Sequence, residues 1–150
     1  MGNDTVSTVS LRSKLLGFIA LMKLRVVELL LITTVPTMIV AEEGLPSVWL
    51  IIATLLGGTL AAGGANAINM FIDRDIDKLM ERTKNRPLVT GVLTSTEALS
   101  FAIAIETIAF VWLWVFVNLL SAVLAASACL FYVFVSVSYT HLTLPTILRV

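Results

Sequence analysis

The sequence predicts an all-α, polytopic membrane bundle, and three observations carry that reading. Apolar residues make up 58% of the 150 and charged residues 13%, with a mean hydropathy of +0.98. A water-soluble domain of that composition would lack the polar side chains to cover its surface. Four stretches, 26–43, 48–72, 98–117 and 119–138, are long and apolar enough for membrane helices, which need about 20 residues each. The basic residues, finally, are confined to alternate connections. A net charge of zero offers nothing to a nucleic acid, so the partner that composition names is the lipid bilayer.

Taken in order, residues 1–25 form an N-terminal segment carrying Arg12, Lys14, Lys23 and Arg25. The first span, 26–43, holds Pro36, a site for a kink that neighbouring helices can absorb. Glu28 at its start is expected to pair with Lys23 or Arg25. EEGLPS (42–47) carries no Lys or Arg and is expected outside. The second span, 48–72, contains GGTLAAGGANA (57–67), whose small residues let helices or a ligand approach closely. The 73–97 loop then brings Arg74, Lys78, Arg82, Lys84 and Arg86. The third span, 98–117, encloses Glu106, which should face the bundle interior or a wet cavity. A turn at Asn118 leads to the fourth, 119–138, with the single Cys129, which can form no internal disulfide. Every Lys and Arg but Arg149 thus lies on one side, placing the N-terminus and the 73–97 loop in the cytoplasm of a protein of the inner (plasma) membrane.

The last residues read differently. VSYTHLTLPT (Val137–Thr146) resembles the translation of the mosaic-end adapter used in transposon-based sequencing libraries, and the fixed adapter bases continue to Val150 and a stop. Residues 136–150 are therefore expected to be an adapter-derived, non-native tail, with native sequence ending near Val135. His141 falls in that tail and carries no functional expectation.

The chemistry concentrates at the end of the second span. Asn69, Asp73 and Asp77 are spaced four apart, so a helix carries them on one slowly drifting face, with Asp75 on the far side and Asn66 one turn below Asn69. Two carboxylates and an amide carbonyl are hard oxygen ligands suited to Mg²⁺, whose shell waters and phosphate oxygens complete. Lys78, Arg82, Lys84 and Arg86 would complement a polyanion held there. A solvated, positive-inside loop with internal ion pairs would show the same charges. Against it, the polar face begins at Asn69, inside the apolar segment, where an unpaired polar group is costly.

The run NAINMFIDRDIDKLMERTKNRPLVTG, Asn66 to Gly91, resembles the first aspartate-rich motif (NxxxDxxxD) and following loop of the UbiA-type intramembrane prenyltransferases. Within that superfamily it is most similar to the branch that moves a farnesyl group from farnesyl diphosphate to haem b. The likeness covers most of Lys23 to Val135. It departs at Lys23-Leu24-Arg25, where the family usually has Lys-Pro-Arg. The resemblance implies Mg²⁺ on Asn69, Asp73 and Asp77, with Asn66, Lys23 and Arg25 as further site residues. Lys78, Arg82, Lys84 and Arg86 would meet the diphosphate. It also implies a fold of normally about nine helices with a second aspartate-rich motif, so residues 26–135 read as a truncated prenyltransferase membrane domain, inactive by itself. A sister enzyme acting on 4-hydroxybenzoate or a quinone precursor would share the aspartate face, and a small non-enzymatic membrane protein would share the helices. The sequence sets no oligomeric state.

Overall fold

The computed structural model describes residues 10–147 other than 23, 80 and 82, with backbone alone at 24, 26, 76, 140 and 143–147. Five helices run through them: α1 (Leu11–Leu21), α2 (Leu24–Ala41), α3 (Val48–Asp77), α4 (Ser95–Phe116) and α5 (Leu119–Ile147). The stretches Val48–Asp75, Ser95–Phe116 and Leu119–Tyr139 are long and apolar enough to cross a bilayer. The expected first span differs. The apolar part of α2 is Val27–Ala41, about 22 Å of helix against a hydrocarbon core of about 30 Å. Arg25 and Glu28 stand exposed in its first turns, and Pro36 lies within the helix.

Helix α1 lies within residues 1–25, for which the sequence named a segment but no element. Leu11, Leu15, Phe18 and Leu21 recur at helical spacing. The helix buries Gly17 and Leu21 against the loop that precedes α4. Phe18 meets Phe101 with ring centroids 4.6 Å apart, and the Lys14 ammonium lies 2.5 Å from the Glu97 carboxylate. Leu21, Ala67, Met70, Leu93, Ala98 and Ala102 form the buried cluster under this end of the molecule.

α3 is the hub, packing most extensively on α4 and also on α5, α2 and α1. Its small residues make that possible. A Cβ added at Gly64 would lie 2.5 Å from the Glu106 Oε2, and one at Gly63 would lie 2.5 Å from the Met22 Cε. At Gly57 it would collide with Leu113. Across the same interface the Trp112 indole N–H donates to the Ala53 carbonyl at 2.9 Å.

The helix ends are fixed by their own residues. The Ser47 Oγ accepts from the Leu50 N–H at 3.2 Å at the start of α3. Thr94 and Glu97 form a reciprocal capping box before α4, the Thr94 N–H donating to the Glu97 carboxylate at 2.9 Å. The Asn118 Oδ1 accepts from the Ser121 N–H at 2.6 Å, which makes the expected turn into α5. That helix continues past Ser136 to Ile147 rather than stopping near 138. The outward faces of α4 and α5 stay apolar and uncovered, with Trp114, Val115, Leu130, Phe131 and Phe134 each more than half exposed. A surface of this kind is suited to lipid.

Candidate active site

α3 does not end where its apolar run ends. It carries Asp73, Asp75 and Asp77 on little more than one further helical turn, so the four-residue spacing becomes a physical face. Asn69 is 6% exposed, and its Nδ2 donates to the Asp73 Oδ2 at 3.1 Å. The Asn69 Oδ1 is buried and, among the described residues, has no hydrogen-bond partner. An orphaned amide oxygen beside a carboxylate is an unfavourable arrangement unless a donor or cation reaches it.

Asp77, 4% exposed, faces the loop. Its Oδ2 accepts from the Arg86 Nη1 at 2.5 Å, and its backbone carbonyl accepts from the Thr83 hydroxyl at 2.9 Å. The loop thus folds back over the end of α3, and Arg86 lies against the acidic face. The remaining positive charges do not gather there. Lys78 lies 3.5 Å from Asp75, whose side chain is 72% exposed on the opposite side, and Arg74 stacks over the Phe71 ring. Lys84 pairs with the exposed Glu81. Arg25 is exposed at the start of α2, while Lys23 and Arg82 lie outside the described residues. Of the basic residues expected at a diphosphate, Arg86 alone among the described ones contacts the acidic face.

Asn66, one turn below, is 3% exposed and has both polar atoms committed. Its Nδ2 donates to the Met22 carbonyl at 3.2 Å, and its Oδ1 accepts from the Tyr132 hydroxyl at 3.3 Å. Below it opens an apolar groove of about 650 Å³, lined by α2, α3 and α5 through Leu29, Thr33, Ala61, Leu124 and Cys129, with Asn66 and Tyr132 also on its wall. Glu106 faces α3 at Gly64 and lies beside the Cys129 thiol, inside the bundle as its position predicts.

Two contributors escaped the sequence reading. Tyr132 lies in an apolar helix, where a phenol hydroxyl needs a partner, and that requirement was the available signal. Thr83 had none, because its bond to Asp77 depends on the loop's path.

The fit to a hard cation rests on the donor set. The orphaned Asn69 Oδ1 and the adjoining Asp73 carboxylate offer the oxygen ligands a Mg²⁺ takes from protein, with room for non-protein oxygens. Among the described residues no three Asp, Glu, His or Cys side chains converge.

The profile of the UbiA prenyltransferase family matches residues 30–148. The chain belongs to the UbiA prenyltransferase family. Among curated UbiA relatives, a protoheme IX farnesyltransferase of Frankia alni is 57% identical over 125 residues, which cover 83% of this chain and 43% of that one. One from Clavibacter michiganensis is 56% identical over 85% of this chain and 42% of its own. Protoheme IX farnesyltransferase 2 of Saccharopolyspora erythraea is 56% identical over 79% and 37%. The chain therefore spans about two fifths of the length of the UbiA proteins it matches. No solved structure matches it. The family and its helical membrane fold accord with the expectation raised by the Asn66–Gly91 run.

Proposed function

We propose that these residues belong to an enzyme that transfers the farnesyl group of farnesyl diphosphate to a vinyl group of haem b, giving haem O and diphosphate. The observation that carries the reading is the acidic face of α3, with its orphaned Asn69 oxygen, one helical turn from the Asn66 that lines an apolar groove. The names of the relatives supply the acceptor.

In the reaction the C1–O bond of the allylic diphosphate breaks and its electron pair leaves on the diphosphate. C1 then bonds to the terminal vinyl carbon, and water adds to the cation left on the neighbouring carbon, losing a proton to solvent. Asn69, Asp73 and Asp77 would hold Mg²⁺, which when bound neutralises diphosphate oxygens. Arg86, already at Asp77, presents a guanidinium to the departing anion. Lys78, Lys84 and Arg82 add positive field from the same loop. The groove takes the isoprenoid tail and excludes water from the developing cation. On this reading the loop and N-terminus face the cytoplasm across the plasma membrane, and residues 136–150 are adapter-derived and play no part.

The test uses the complete reading frame, amplified from genomic DNA never exposed to transposon adapters. Its codons beyond 135 are expected to differ from those for VSYTHLTLPTILRV. Its membranes, given farnesyl diphosphate, haem b and Mg²⁺, are expected to form haem O, with loss of product on chelation. Prenylation of 4-hydroxybenzoate with haem b untouched would overturn the acceptor, and recovery of the same tail codons would overturn the adapter origin.

A further inference from the structure

Asn66 and Tyr132 stand at one boundary, between the apolar groove and the acidic face. Both line the groove, while Asn69 and Asp73 begin one and two turns above Asn66 on the same helix. Asp73 and Arg86 are the charged groups whose fields reach the phenol. The hydroxyl is not free to turn. It donates to the Asn66 Oδ1, and Asn66 is itself fixed by donating to the Met22 carbonyl at the end of α1. One amide, 3% exposed, thus ties α1, α3 and α5 together, with Tyr132 41% exposed on the groove side.

From this geometry we infer that Tyr132, held by Asn66, is a positioning residue whose ring closes the groove beneath the acidic face. The inference rests on the prenyl-transfer reading, which puts the diphosphate on the acidic side and the hydrocarbon in the groove. C1 of the substrate then falls at the height of the tyrosine. An allylic cation there has two fates. Attack by the acceptor's π electrons forms the product C–C bond. Attack by a water oxygen, with loss of a proton to solvent, gives the free prenol. A ring across the boundary keeps water on the acidic side, and its tether keeps the phenol oxygen, itself a nucleophile, turned toward Asn66.

The experiment measures kcat, the KM for farnesyl diphosphate, and farnesol released per farnesyl transferred, in the complete reading frame in native membranes. Tyr132→Ala is expected to raise the farnesol ratio about tenfold and lower kcat, with KM held within about threefold. Tyr132→Phe keeps the ring without the tether and is expected to raise the ratio about threefold. Asn66→Leu is expected to match it, and the double variant to be no worse than either, as for two ends of one contact. An unchanged ratio in Tyr132→Phe and Tyr132→Ala, or independent addition of the two single effects, would overturn the inference. If Tyr132→Ala fails to accumulate, the isosteric Tyr132→Phe and its cycle with Asn66→Leu decide. An acceptor other than haem b would defeat the function proposed above while leaving the farnesol ratio measurable on that acceptor.

Discussion

Asp77 and Asp75 are two residues apart and live in different worlds. Asp75 points outward, its side chain 72% exposed between Arg74 and Lys78, where ion pairs are worth about 0–1 kcal/mol. Asp77 is buried against the Arg86 guanidinium, itself 20% exposed. Removing one member of such a pair strands the other charge. Arg86→Ala is therefore expected to destabilise the protein by about 2–4 kcal/mol, read as a lowered thermal unfolding midpoint in detergent micelles. Lys84→Ala, which releases only the exposed Glu81, is expected to move that midpoint little. Equal midpoints for both variants would contradict the assignment. At this scale the sequence was legible where a helix sets the distances: Asn69, Asp73 and Asp77 needed only a four-residue period. The partner of Asp77 was not legible, because Arg86 lies nine positions further on, past the end of the helix, and no periodicity governs their meeting.

Between helices, the small residues of α3 do what side-chain size allows. Gly64 admits Glu106, and a side chain there would have to displace a carboxyl held inside the bundle. Gly64→Leu is expected to cost about 1–3 kcal/mol by overpacking. Gly58→Ala is the control. Nothing lies within 4 Å of its Cβ, so the helix propensity of alanine should leave stability unchanged or raise it by up to about 1 kcal/mol. Thermal unfolding of the two variants side by side checks both, and a Gly58 variant as damaged as the Gly64 one would show that close approach is not what the glycines provide. The helices over 48–72, 98–117 and 119–138 were readable from length and apolarity alone. α1 was not. Its Arg12 and Lys14 read only as part of the one-sided basic charge, and the use of Lys14 to hold Glu97, eighty-three residues away, follows from tertiary packing.

For the whole molecule, the helices and the family agree on an α-helical membrane bundle, and the buried Asn66, Asn69 and Asp77 all lie in the last turns of α3. On the function proposed above that placement suits a prenyl donor, which has one anionic end and one long apolar end that a single helix running from groove to loop can serve together. The chain spans about two fifths of its relatives' length, and the apolar outer faces of α4 and α5 are broad enough to meet lipid or further helices. The central claim is that the Asn69–Asp73–Asp77 face, and not the loop's charge in general, binds the diphosphate. Haem O formation by the complete reading frame, followed by chromatography of extracted pigments at saturating Mg²⁺ with expression checked by immunoblot, tests it most directly. Asp73→Ala and Asp77→Ala are expected to abolish product, while Asp75→Ala keeps most of the activity. Equal activity in all three variants, or an Asp75 variant more damaged than the other two, would contradict the account.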